Sequence, residues 1–404
     1  MEPDLKKVLV VSPFASVPPR YGGPIRVHNL CKQLSRTFQV QAFAQQIQRG
    51  DMAISLKPVI KHVNSHYSEY SCRNPISIFL YALTNGRWGF PSVWQSSVLN
   101  ITAPKWLNAQ INKSDIIHVE HPWQFQWVYE NTPRSKPVIL GAQNVETDLY
   151  KPEFISAPTP ITRRALKAIA DQEAFAVKHA TAIAVTSQED RGRLSECHKI
   201  PDKHFFLVPN GVDCAKYSPV DDSTRIHQKR IFNLEDRTVV IFAGSAHRPN
   251  IEAVEQIVKF ADVFTAERVT FLIVGSVGRA FASLVHPAIR VTGVVPDTRP
   301  YFEAADIALN PMMSGSGTNL KQLEYMAMGL PVITTVKGTR GINFKHEIEG
   351  FVCDPGNFPL QILALVNNAH LRLQVGTKAR AFAQNNFDWD VIGKKMNQVY
   401  EEIL

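Results

Sequence analysis

Residues 311–335 read PMMSGSGTNLKQLEYMAMGLPVITT. The front half, Ser314-Gly315-Ser316-Gly317-Thr318-Asn319, is loop chemistry, with Thr318 or Asn319 suited to cap a helix. From Leu320 to Met328 apolar residues recur at helical spacing, so that Leu320, Leu323, Met326 and Ala327 share a face. Gly329 suits the stop, and Val332-Ile333-Thr334-Thr335 reads as a strand. A small-residue loop opening a helix leaves backbone N–H groups aimed at whatever docks there, and this is how anions are held. Alone, the stretch fits a tight turn between strand and helix in any α/β protein equally well.

Outward from that stretch the chain alternates strand and helix, which predicts parallel sheets in the α/β class. KKVLVVSPF reads as a strand, IRVHNLCKQLSR as a helix and FQVQAFAQ as a strand. After a long middle region, DIIHVEH, KPVILGAQN and ATAIAVTS are short apolar segments that each end in polar residues. HFFLVPNGVD follows, and a new alternation starts at TVVIFAGSA, runs through NIEAVEQIVKFADVF and VTFLIVGS, and reaches ADIALNPMM. NFDWDVIGKKMNQVYEEIL reads as a terminal amphipathic helix. At 404 residues the chain is too long for one ordinary core. The expected division is residues 1–212, residues 213–385, and a last segment 386–404.

Each half then reads as a doubly wound domain that binds ligands beyond the C-terminal ends of its strands. Ser12, Glu120, His121, Asn144, Ser187, Asn210, Ser245 and Asn310 stand at those ends. Two such domains facing each other would form a cleft suited to a shared ligand.

With 45% apolar and 20% charged residues the composition is that of a globular protein. No apolar run reaches the eighteen residues or so that a membrane span needs. The first apolar run lacks a small-residue cleavage site and reads as a strand, not a signal peptide. Five cysteines, at 31, 72, 197, 214 and 353, are scattered without C-x-x-C spacing, which argues against disulfides and structural zinc and for the cytoplasm. The net charge of +8 is uneven: residues 1–190 hold 20 Lys+Arg against 14 Asp+Glu, or +6, and the rest hold 24 against 22, or +2. A basic first half suits an anionic lipid surface or an anionic acceptor, although a merely solvated basic surface is the plainer reading. No dense basic tract with interleaved aromatics appears, so nucleic acid is not an expected partner.

Gly22-Gly23, before Pro24 as the expected first helical residue, would let backbone approach a ligand. The pair is not a dinucleotide fingerprint, and VGSVGRAF has only two of its three glycines, so a nicotinamide dehydrogenase is poorly supported. Glu324, one turn inside the 320–328 helix, could accept two ribose hydroxyls while the loop N–H groups hold a diphosphate. Arg248 could add a guanidinium to the same phosphates. Taken singly, each is more readily a solvated surface residue.

YGGPIRVHNL, VEHPW, QNVET, AIAVTSQEDRGRL, LVPNGVD, GSAHRPNIEAV, SGSGTNLKQLEYMAMGLPVI and EGFVCDP occur in order and resemble the retaining glycosyltransferases of family 4 (glycosyl transferases group 1), of GT-B fold, over nearly the whole chain. The resemblance implies two Rossmann-like domains facing across a cleft, with a C-terminal helix crossing back to the first. It implies a nucleotide-diphosphate sugar as donor substrate, held mainly by the second domain, and no metal or other cofactor. The acceptor, a glycan, lipid-linked or small-molecule hydroxyl, falls mainly to the first domain. Cytoplasmic glycan biosynthesis follows, with a weak peripheral contact at the inner face of the membrane.

Glu324 matches the second Glu of the family's Glu-x7-Glu motif, the ribose ligand, whereas Ser316 stands where the first would touch the donor sugar. The family's diphosphate-binding Arg and Lys fall near Ser245 and Asn250, neither of them basic. Arg248 is the expected substitute and Lys321 the second choice. The family's catalytic-region His aligns with Glu120, so Glu120 and His121 join Arg248 as catalytic candidates, and His118 is read as structural. The donor contacts expected are Gly22, Gly23, Ser245, Ser316, Gly317, Thr318, Asn319, Leu320, Lys321 and Glu324. A GT-B sugar-nucleotide epimerase, an inverting transferase and a catalytically silent nucleotide-sugar-binding protein are the rival readings.

Overall fold

The computed structural model describes residues 5–46, 57–73, 75–76, 79, 95–156, 158–201, 204–315 and 317–404. The chain forms two compact units: Met1–Pro209 with Ile392–Leu404, and Asn210–Val391.

In the first unit the described strands are β1 (Lys7–Ser12), β2 (Gln39–Gln46), β3 (Val59–Asn64), β4 (Tyr67–Arg73), β5 (Ile116–Glu120), β6 (Val138–Ala142), β7 (Ala182–Val185) and β8 (Phe205–Leu207). They lie in the order β3-β4-β2-β1-β5-β6-β7-β8, with β3 antiparallel to β4 and the other pairings parallel. Central strands of a parallel sheet are covered on both faces, so they read as continuous apolar runs. Val8, Leu9, Val10 and Val11 are accordingly all buried. The strand order reverses at β1, which pairs with β2 on one side and β5 on the other. Ligands of doubly wound sheets sit beyond the strand ends at such a reversal. Ser12 and Glu120 end the two strands there.

The second unit holds β9 (Thr238–Ala243), β10 (Val269–Val274), β11 (Ile289–Gly293), β12 (Ile307–Asn310), β13 (Val332–Thr334) and β14 (Phe351–Val352), in the order β11-β10-β9-β12-β13-β14 and parallel throughout. Its order reverses between β9 and β12, so the loops after Ala243 and Asn310 bound the ligand end. Leu323, Met326 and Ala327 of the helix Leu320–Ala327 are fully buried, as the spacing predicts, while Leu320 is only partly so.

The final helix, Trp389–Ile403, gives its greater part to the first unit. Ile392, Met396, Val399 and Tyr400 are its buried stripe at i, i+4, i+7 and i+8. Gly393 lies so close to Gln33 that a Cβ would stand 2.4 Å from it. Among the described residues no helix is long and apolar enough to cross a membrane.

Candidate functional site

In the second unit the site is built where β9 and β12 diverge. The Ala243 N–H donates to the Tyr325 hydroxyl at 2.7 Å, which locks the Leu320–Ala327 helix to the end of β9. After β12 the chain passes Gly315 (φ 110°) and Gly317 (φ 75°), left-handed conformations that a side chain rarely adopts. Ser316 lies outside the described residues. Asn319 occupies the cap position, yet its side chain donates to the Gly338 carbonyl at 3.3 Å and caps nothing. Thr318 Oγ1 is buried without a partner among the described residues. At the start of the helix the N–H groups of Leu320 and Lys321 have no intrahelical acceptor, whereas that of Gln322 donates to the Asn319 carbonyl at 3.0 Å.

Lys321 does not extend into solvent. Its Nζ donates to Asn250 Oδ1 at 2.6 Å, lies 4.1 Å over the Phe242 ring and 3.6 Å from Met312 Sδ. Asn250 Nδ2 in turn donates to the Ser245 carbonyl at 3.0 Å. The ammonium thus arrives at the position where a basic residue is missing from the β9 loop, carried there by the facing helix. Burial pulls its pKa down to about 7, against the raising influence of Glu324. Arg248 opens the helix Arg248–Ala261, where its 80% exposed side chain pairs with Glu252 Oε1 at 3.0 Å. Glu252 also accepts from the Ser314 hydroxyl, tying the glycine loop to this helix. Glu324 is pushed up to about 7 by burial, opposed by a hydrogen bond from the Tyr217 hydroxyl and by the charges of Lys216 and Lys321. Ser245, Arg248, Lys321, Glu324 and the 317–320 loop are therefore one linked constellation.

In the first unit the expected residues also come together. Glu120 ends β5, buried, and accepts from Gln143 Nε2 at 2.9 Å. His118 Nε2 lies 3.5 Å from Glu120 Oε1 on the same strand face, as alternation requires. His118 Nδ1 meets the Tyr400 hydroxyl at 2.8 Å, a bond that fastens the last helix to β5. Gly22 and Gly23 are the first two residues of the helix Gly22–Leu34, so Pro24 is its third and not its first. A Cβ on Gly23 would stand 2.6 Å from Phe14 Cζ and 3.4 Å from Gln143 Oε1, so the glycine admits close neighbours from the protein itself.

His121 follows β5 with φ 65° and ψ 160°, its N–H on the Gly141 carbonyl at 2.9 Å. Nδ1 donates to Glu146 Oε1 at 2.6 Å, and Phe14 stands edge-on at 5.6 Å between ring centroids. Burial pulls the imidazolium down, but the charge and hydrogen bond of Glu146, with the charge of Glu120, prevail and its pKa is raised.

Glu146, Gln143, Tyr217 and Arg26 were not expected from sequence. Arg26 is fully buried, donates to the Pro209 carbonyl at 2.9 Å and feels the charge of Glu120. A legible signal existed for two of them: Gln143 and Glu146 lie in QNVET at the end of an apolar strand.

Comparison with known proteins agrees with this architecture. Residues 21–216 match the family described as Glycosyltransferase Family 4, and residues 237–368 the family described as Glycosyl transferases group 1. A putative glycosyltransferase YtcC of Bacillus subtilis is 26% identical over 49% of the chain, which spans about half (54%) of that protein. D-inositol 3-phosphate glycosyltransferase of Corynebacterium jeikeium is 22% identical over 95% of the chain and 92% of its own length. Among solved structures, sucrose-phosphate synthase from Thermosynechococcus elongatus superposes with a TM-score of 0.70 at 16% identity, covering 98% of this chain and 99% of that one. HepE of Anabaena in complex with UDP does so with 0.69 at 14% identity, covering 98% and 100%. With two Rossmann-like sheets, linked residues at the reversal of each, and family matches over both halves, this chain belongs to the group 1 glycosyltransferases of GT-B fold.

Proposed function

We propose that the chain moves a sugar from a nucleotide-diphosphate sugar to an acceptor hydroxyl with retention, the second unit holding the donor. The observation that carries this reading is Lys321 bonded to Asn250, with Glu324 on the same helix. A diphosphate at the Gly317–Lys321 turn would meet backbone N–H groups and this ammonium, while Glu324 would accept from ribose hydroxyls. Negative charge on the diphosphate grows as the anomeric bond breaks, and donors fixed by the fold stabilise it by roughly 3–4 kcal/mol for a well-placed one. Arg248 joins them from its exposed pair with Glu252, which costs little to break at about 0–1 kcal/mol. Glu120 and His121 serve the acceptor side from the first unit. No metal or other cofactor takes part in this reading.

The relatives favour UDP as the first base to test, since HepE has been solved with UDP-glucose. A thermal-shift screen over UDP, GDP, ADP and their sugars tests the proposal: one base should raise the melting temperature, and a response to none would defeat it. For the acceptor, a glycan or lipid-linked hydroxyl at the inner membrane face suits the basic first half. Arg163, Arg164 and Lys167 project outward from the helix Pro160–His179, whose core face is Ala165, Ile169, Ala176 and Val177.

A further inference from the structure

We propose that Glu146 is a positioning residue: it holds His121 through Nδ1, so that the ring's Nε2–H is offered as a hydrogen-bond donor to a substrate oxygen bound by the first unit. This rests on the transferase reading only for what that oxygen belongs to, a sugar or acceptor hydroxyl.

Three layers of contact set the geometry. Glu173, buried on the helix Pro160–His179, accepts from the Glu146 N–H at 2.5 Å and from the Thr147 hydroxyl at 2.7 Å. Its carboxylate thereby pins the first turn of the helix Glu146–Ser156, where negative charge is favoured. Glu146 is itself buried, and its carboxylate fixes the imidazole at Nδ1. His121 is 92% buried, its Nε2 has no partner among the described residues, and its backbone sits in the left-handed region that non-glycine residues seldom occupy. Such backbone persists where surrounding contacts over-determine it, and it clusters at functional sites. A buried polar atom left unbonded is costly unless a ligand completes it. Phe14 stands edge-on to the ring, 5.6 Å between centroids, and adds an apolar neighbour to it.

The charges facing His121 are Glu146 from its helix, Glu120 from β5 and Arg26 from the helix Gly22–Leu34; the two carboxylates outweigh burial and the guanidinium. A doubly protonated ring donates from both nitrogens and cannot act as a base. Activity that needs the Nε2 proton is then present below the raised His121 pKa and is lost as pH rises through it.

Imidazole 15N NMR on histidine-labelled full-length protein, paired with kcat profiles in pH, tests this. His121 of the wild type should titrate above the ordinary histidine value. In Glu146→Gln, which keeps an acceptor for Nδ1 and loses the charge, its titration should move down by on the order of one pH unit or more. The alkaline limb of kcat should follow, with KM within about twofold. Glu146→Asp, which restores charge at a shorter reach, should recover the titration in part. A His121 that titrates at or below the ordinary histidine value in the wild type, or that titrates alike in wild type and Glu146→Gln, overturns the positioning role. A moved titration with an unmoved kcat profile overturns the use of the proton in transfer. If the wild type turns over no donor, the transferase reading fails while the NMR result still decides the role of Glu146.

Discussion

Burial pulls the Lys321 pKa down to about 7, and among the described residues its ammonium is hydrogen-bonded to the neutral Asn250 Oδ1. A bound diphosphate would supply the missing anion and return the ammonium toward an ordinary lysine. Between pH 7 and about 10 the complex then holds more protons than the free protein, so affinity falls as pH rises. Each pH unit above 7 costs at most about tenfold, or about 1.4 kcal/mol, so Kd for the nucleoside diphosphate should rise by up to about 100-fold from pH 7 to pH 9. The terminal phosphate, with a second pKa of about 6, is already ionised over that range. Lys321→Met should weaken binding at pH 7 by about 1.5–3 kcal/mol, the worth of a hydrogen bond to a charged group, and should flatten the slope. Glu324, also raised to about 7, titrates in both proteins and loses the lowering charge of Lys321 in the variant, so the difference between them reports the coupled pair. Calorimetry at pH 7, 8 and 9 in two buffers of different ionisation enthalpy reads affinity and proton uptake together. A wild-type Kd that is constant over this range, or a Lys321→Met variant with the same slope, would refute the reasoning.

Glu324→Ala should weaken nucleotide binding by roughly 1–3 kcal/mol through loss of charged hydrogen bonds to the ribose, and unchanged affinity by calorimetry would remove that assignment. Arg248→Ala should lower kcat at least ~10-fold with a smaller change in KM, because the diphosphate gains charge in the transition state. An intact kcat would leave that role to Lys321 and the backbone N–H groups. Liposome co-sedimentation at low salt should show the protein partitioning to anionic vesicles over neutral ones, and equal partitioning would favour a soluble acceptor.

The alternating sheets were legible because parallel strands covered on both faces leave unbroken apolar runs, as at Val8–Val11 and Val239–Phe242. The antiparallel pair β3 and β4 was not read, since KHVN and SEYS carry too many polar residues for such a run. Buried Glu69 explains part of that: it accepts from the Ser16 N–H at 2.7 Å and fastens the loop after β1, a role no local pattern announces. The helix at Gly22 begins earlier than Pro24 suggests because glycine also adopts helical dihedrals. At the site, Glu324 and the glycine loop are neighbours in sequence and were found together. The bond from Lys321 to Asn250 spans 71 positions and the one from His121 to Glu146 spans 25, so only the fold reveals either. Spacing can place Lys321 on a helix, but not turn its ammonium toward a particular loop.

The central claim, that this chain breaks the anomeric bond of a nucleotide sugar, is tested most directly by nucleoside-diphosphate release. Wild-type protein and the Lys321→Met, Glu324→Ala double variant would be incubated with UDP-, GDP- and ADP-sugars, and products followed by mass spectrometry. The wild type should slowly hydrolyse one donor class and release the matching diphosphate without a free-sugar epimer, and the double variant should lose that release. A wild type that binds a nucleotide yet releases diphosphate from none of the donors, or that releases the free 2-epimer of the donor's sugar, would contradict it.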